Sequence, residues 1–184
     1  MLAREPLTAP AFMYRIHPAR IAGGGMIEVG KATLLAPVIA GEPGDLLAVA
    51  AAACTLGTAL QERISRLFAT RRRSLALALD TIGSELLFRL TDRAIAAIRR
   101  DARRKGMGMG IDISPGDPGL PLDQQAVVLA LAGSCREGIA VTEAGMLTPV
   151  QSLSLLVALG RNLRQRSAAA RCDACSSRDR CAVK

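Results

Sequence analysis

Cys172, Cys175 and Cys181 stand near the carboxyl terminus in the spacing Cys-x2-Cys-x5-Cys. Thiolates two residues apart converge on one metal ion, and a third five residues on closes the site. Three thiolates leave a zinc site one ligand short of four, or hold an iron-sulfur cluster with one iron open or ligated from elsewhere. The alternative is a tail of unused thiols. A second chemical locus is the run Ile113-Ser114-Pro115-Gly116-Asp117-Pro118-Gly119-Leu120-Pro121, preceded by Asp112. Proline fixes φ there and glycine lets backbone approach a ligand closely. The third is Val141-Thr142-Glu143-Ala144, where a carboxylate beside a strand either accepts hydrogen bonds from a ligand or ties the facing loop, residues 114–121, to the sheet.

Other chemistries are poorly served. The one histidine, His17, is flanked by Pro18 and has no evident orienting acid, so a Ser-His or Cys-His nucleophile is not expected. Gly25-x4-Gly30-Lys31 comes near a phosphate loop but ends in Ala32 where a hydroxyl must ligate magnesium, and the residues between the glycines read as a strand. Cys54 and Cys135 sit in apolar or turn contexts and read as small core residues.

The chain has 184 residues, half of them apolar, with no Trp, one Tyr and three Phe. One domain of that size buries a core without disulfides, and this core must be built from Leu, Ile, Val, Ala and Met. The longest apolar stretch, residues 46–60, contains Gly57, Thr55 and Thr58 and is shorter than the roughly 20 residues that span a bilayer, so no membrane is expected. Glu5, Pro6 and Pro10 interrupt any secretory signal, which implies a cytoplasmic protein with reduced cysteines. The net charge of +8 is mostly arginine, clustered at residues 71–73, 99–105 and 161–180. Such clusters steer acidic partners. Nucleic acid is the weaker expectation, because single-strand binders stack bases on aromatic rings that this chain lacks; the bland reading is a set of solvated helix faces.

Residues 1–20, broken by Pro6, Pro10 and Pro18, read as an irregular N-terminal segment. Residues 21–160 read as one domain and residues 161–184 as an Arg/Cys-rich tail. Within the domain, Met26-Ile27-Glu28-Val29 alternates as a short strand, residues 31–40 are ambiguous, and residues 46–54 are continuously apolar, as a strand covered on both faces must be. Thr58 and Gln61 have the form of a capping box that opens a helix over 59–70. Apolar positions at helical spacing from Leu77 to Ala102 predict one long amphipathic helix over 74–105, weakened only at Gly83 and stopped by Gly106. A short strand at 111–113, a helix over 123–132 and strands around 141–147 and 152–158 complete the set.

The loop residues 113–121, the Val141-Thr142-Glu143-Ala144 run with Pro149, Ser152 and Ser154, and the segment Cys54-Thr55-Leu56-Gly57-Thr58-Ala59-Leu60-Gln61-Glu62-Arg63 together resemble the activation domain of cobalamin-dependent methionine synthase, over roughly residues 46–158. The resemblance implies an α+β fold with a curved antiparallel sheet and a long amphipathic helix. It implies a free-standing component of a corrinoid methyltransferase system that binds S-adenosylmethionine and docks on a cobalamin-binding methyltransferase domain or corrinoid protein during reductive reactivation, with an acidic flavodoxin or ferredoxin as a further partner. In that family an Arg-x-(Ser/Ala)-Pro-Gly-Tyr loop holds the ligand. Ser114, Pro115 and Gly116 match it, Asp112 stands where the arginine is expected and Asp117 where the tyrosine is expected. Thr142-Glu143 matches a Leu-Thr-Glu-Ser run, and a family acid on the long helix falls at Phe88, one turn from Glu85. Small proteins of the corrinoid-activation type often end in a comparable cysteine cluster, which supports zinc or an iron-sulfur cluster at Cys172, Cys175 and Cys181. The alternatives are an accessory that has lost S-adenosylmethionine and an arginine-rich nucleic-acid binder.

Overall fold

The computed structural model describes residues 6–133 and 138–164. Its centre is a six-stranded, wholly antiparallel sheet in the order β3-β2-β1-β4-β8-β5. The strands are β1 (Ala11–Gly23), β2 (Met26–Val29), β3 (Ala32–Leu35), β4 (Asp45–Thr55), β5 (Gly108–Ile113) and β8 (Ser152–Arg161). Among the described residues four α-helices accompany them, α1 (Pro37–Ala40), α2 (Thr58–Ala69), α3 (Arg73–Arg104) and α4 (Gln125–Ala132), and β6 (Ala140–Val141) pairs with β7 (Leu147–Thr148) in a small separate hairpin.

The continuous apolar run behaves as expected. β4 lies between β1 and β8, and its alternation sends Val49, Ala51 and Ala53 into one core cluster and Ala48, Ala50 and Ala52 into another. Alanine on both faces lets helices approach the sheet closely. On the first face α1, α4 and the β2–β3 hairpin pack over Ile113, Leu120, Leu156 and Ala158. On the second face α3 crosses Leu155, Val157 and Leu159, while its first half pairs with α2 around Leu56, Leu60, Ile64, Leu67, Leu87 and Leu90. Each leucine fully buried here contributes on the order of 2 kcal/mol. No helix among the described residues is long and apolar enough to cross a membrane.

α3 is a single helix of 32 residues, about 48 Å long at 1.5 Å per residue. Gly106, at φ +69, ends it in a Schellman turn: its N–H donates to Arg103 O and the Met107 N–H donates to Ala102 O, both at 3.0 Å. Arg103 and Arg104 in the last turn complement the helix dipole. Gly83 is no weak point. It is buried, and a Cβ there would lie 2.8 Å from Leu60 Cδ2 and 3.3 Å from Gln151 Cγ, so glycine is what lets α2 and the start of β8 close on the helix.

Two expectations are corrected. Residues 11–20 are not irregular, because β1 runs through Pro18. The strand pairs with β4 from Ala11↔Thr55 to Pro18↔Ala48 and with β2 from Ala19↔Val29 onward, so proline sits at the change of partners, where a missing ladder donor is tolerated. The capping box is not made. Gly57, at φ +81, is the N-cap of α2 and no side chain caps it. Thr58 is already helical, and the Gln61 side chain turns to another task described below. Smaller differences lie at element ends: β8 continues to Arg161, and a 3-10 turn at Leu122–Gln124 precedes α4.

Candidate functional site

The loop after β5 is closed by its own hydrogen bonds. Gly116 N–H donates to Leu120 O at 2.8 Å, Leu120 N–H to Asp117 O at 3.0 Å, and Asp117 N–H to Ser114 O at 3.0 Å. The exposed Asp117 carboxylate completes the closure by accepting the Ser114 N–H at 2.9 Å. Gly116 and Gly119 adopt φ of +96 and +99, which no other residue holds without strain. A Cβ on Gly119 would collide with Val38 of α1, so the loop lies flat on that helix while Leu120 anchors it in the core.

Glu143 occupies the exposed turn between β6 and β7 rather than a strand. That turn closes through Thr142 N–H to Met146 O at 2.8 Å, Gly145 N–H to Thr142 O at 2.9 Å, and Met146 N–H to the Thr142 hydroxyl at 3.1 Å. The two candidate loops meet on Leu122: a Cβ on Gly116 would lie 3.6 Å from Leu122 Cδ1, and one on Gly145 would lie 3.3 Å from Leu122 Cγ. Ser114, Pro115, Gly116 and Glu143 therefore belong to one surface region, with Leu122 between their loops.

Polar contacts brace this region from below. The Gln125 amide donates to the Ser154 hydroxyl at 2.5 Å in a buried pair that ties α4 to β8. The Val150 N–H donates to Gln61 Oε1 at 2.7 Å, the Gln151 amide to Asp80 Oδ1 at 2.9 Å, and the Ser152 hydroxyl to Thr55 Oγ1 at 2.8 Å. These bonds fasten the segment before β8 to α2, α3 and the end of β4. Gln124 Oε1 and Gln151 Oε1 are buried acceptors with no partner among the described residues.

Asp112 stands apart from the loop it precedes. It is half-buried, its Cα partner in β8 is Val157, and Val157 belongs to the α3 face, opposite the face on which Leu120 is buried. Pairing of β5 with β8 ends at Ile113↔Leu156, so residues 152–155 of β8 extend beyond the loop's point of departure. Phe88 is 56% exposed, and Glu85 is bound to Arg89 at 2.9 Å on the surface of α3, so neither position brings an acid to the region; the α3 acid that reaches it is the half-buried Asp80, through Gln151.

Among the described residues there is no group of three or more His, Cys, Asp or Glu able to hold a metal. Cys172, Cys175 and Cys181, with Cys135, lie outside the described residues. Cys54 is buried at the end of β4, and burial pushes its thiol up to about 11 against a smaller opposing hydrogen bond with Thr91. Burial also raises the Tyr14 hydroxyl, helped by its 2.6 Å hydrogen bond to Asp101. His17, in β1, lies 2.9 Å through Nε2 from Leu131 O at the end of α4 and has a structural part there. Sequence reasoning missed Leu122, Gln125 and Gln151. Only the neighbouring polar pattern of 124–125 hinted at the second.

A large antiparallel sheet crossed by one long helix, with a closed Pro/Gly loop leaving its edge strand, defines a single α+β domain. Among solved structures, the crystal structure of the MetH reactivation domain bound to AdoHcy is similar over 86% of this chain, with a TM-score of 0.66 and 16% sequence identity. This chain spans 61% of that one. No family model matches the sequence, and no curated protein matches it.

Proposed function

We propose that this chain is an activation-type module that closes over the corrinoid of a cobalamin-binding methyltransferase partner. The observation that carries the reading is the rigid 114–120 loop set against the Glu143 turn across Leu122, on the fold of a reactivation domain. S-adenosylmethionine would meet backbone groups of Ser114, Pro115 and Gly116 and the Glu143 carboxylate.

The side chains fit that ligand only in part. Its amine and sulfonium suit carboxylates, but its own carboxylate lacks the arginine that the sequence resemblance expects. Asp112, on the α3 face of the sheet, supplies no counter-charge there, and Asp117 is occupied in closing the loop. Loss of one member of a buried charge pair costs about 2–5 kcal/mol, on the order of several hundredfold in affinity. Calorimetric titration with S-adenosylmethionine should give weak or undetectable binding for the wild-type chain. Tight wild-type binding would overturn the argument from the missing arginine.

The engagement of Asp117 favours a second reading, in which the module docks on a corrinoid partner without S-adenosylmethionine. Association that proceeds equally well with and without that ligand would select it.

A further inference from the structure

An exposed flank of α3 carries an ordered pattern that the candidate site does not use. Leu75, Leu79, Ile82 and Leu86 follow one another at spacings of four, three and four residues, which puts them on one stripe of the helix. They are not core. Leu75, Ile82 and Leu86 are 39%, 55% and 41% exposed, and Leu79 is half-buried at the margin of the α2–α3 cluster. Along the same stripe the apolar residues give way to Arg89, Arg93, Arg100 and Arg104, all exposed. Arg89 and Arg104 are partly balanced by Glu85 and Asp101, whereas Arg93 and Arg100 have no acidic partner among the described residues. The helix thus shows solvent an apolar half followed by a basic half. The candidate loops pack over the opposite face of the sheet, against Leu120, Val38 and α4.

We propose that this stripe is a docking surface for an acidic amphipathic helix of another protein, whose apolar residues cover Leu75, Ile82 and Leu86 and whose carboxylates reach Arg93 and Arg100. An apolar seam at this spacing is what a second helix packs against, and charges beyond the seam set the partner's direction and sign. A second copy of this chain is a poor occupant. Two-fold pairing centred between Leu79 and Ile82 would bring Arg72 and Arg89 of opposite copies together, in a molecule already at +8. A nucleic acid would match the basic half and leave the apolar half uncovered. The surface is separate from the corrinoid-facing region, so the inference stands whether or not that assignment holds.

The test uses the full chain and a fluorescent helical peptide of about 20 residues, long enough to hold a helix, with leucines at four-three-four spacing followed by glutamates on the same face. A version with lysines in place of the glutamates and a short DNA duplex serve as comparisons. The acidic peptide should bind saturably and more weakly as salt rises, and Ile82→Asp or Leu86→Asp should each lower affinity at least about tenfold while circular dichroism stays native. Arg93→Glu with Arg100→Glu should reverse the preference toward the lysine peptide. Equal binding of both peptides, indifference to the Ile82 and Leu86 changes, or duplex binding as tight as the acidic peptide would overturn the proposal. So would a concentration-dependent dimer in sedimentation that Ile82→Asp abolishes, since a second copy would then own the stripe.

Discussion

Asp117 is the residue whose part in the structure differs most from the part its position suggests, and it allows a sharp test. Its carboxylate accepts the Ser114 N–H at 2.9 Å while its backbone bonds Ser114 O and Leu120 N–H on either side. Asp117→Ala removes only the side-chain bond. A hydrogen bond to a charged group contributes about 1.5–3 kcal/mol where both ends are dry, but Asp117 is exposed and the released amide can hydrate, so the loss should be close to 1 kcal/mol. For a domain of this size that lowers Tm by about 2–4 °C. The sharper readout is local: amide exchange at Ser114 should quicken about fivefold, the factor equivalent to 1 kcal/mol, while exchange in β4 and β8 changes only as global stability does. Asp117→Asn keeps an acceptor and should lose less than half as much, whereas Asp117→Tyr should behave as the alanine variant. If Asp117→Ala leaves both Tm and Ser114 exchange unchanged, the carboxylate does not clasp the loop, and the argument that it is unavailable to a ligand fails.

Cys54 predicts a pH dependence with a definite sign. Burial pushes its folded thiol up to about 11 from an ordinary value of 9.0, so it contributes stability that is complete below pH 9 and is lost as pH rises toward 11, about 2–3 kcal/mol in all. Urea unfolding of wild type and Cys54→Ala should therefore converge over that window; parallel curves would contradict the burial of the thiol. Gly119→Ala sets a side chain at positive φ against Val38, and should cost about 2–4 kcal/mol, read as a lowered urea midpoint. Tyr14→Phe removes the 2.6 Å bond to Asp101 and should lower stability by about 1 kcal/mol; no change would mean that the pair is satisfied by solvent.

The parts of the fold legible in the sequence were those where one physical requirement dominates a long run. Residues 48–54 are apolar at every position because both faces of β4 are covered there, and α3 repeats its apolar positions because one side of a long helix must be buried. Gly106 signalled the helix end because only the left-handed region closes that turn cheaply. β1 was hidden because Pro18 looks like a breaker unless one knows that the strand changes partners there. Thr58 and Gln61 satisfied a local motif that Gly57 and the distant Val150 N–H overrode. The candidate site was legible as two loops and illegible as one place. Leu122 joins them in three dimensions, and Gln125 and Ser154 brace them across 29 residues of sequence, a separation that no local pattern records. The metal ligands expected at Cys172, Cys175 and Cys181 lie beyond the described residues and remain a proposal, tested by zinc or iron content after anaerobic purification, which should be near-stoichiometric and fall when Cys172 and Cys175 are changed to Ser.

The central claim is that the region formed by the 114–121 loop and the Glu143 turn meets a corrinoid-carrying partner. Hydrogen exchange of the full chain, measured with and without a cobalamin-loaded methionine synthase cobalamin domain, tests it most directly. The account predicts slowed exchange at Ser114, Gly116 and residues 142–146, lost in Glu143→Lys. Saturable binding that protects other surfaces only, or no protection at all at saturating cobalamin domain, would contradict it.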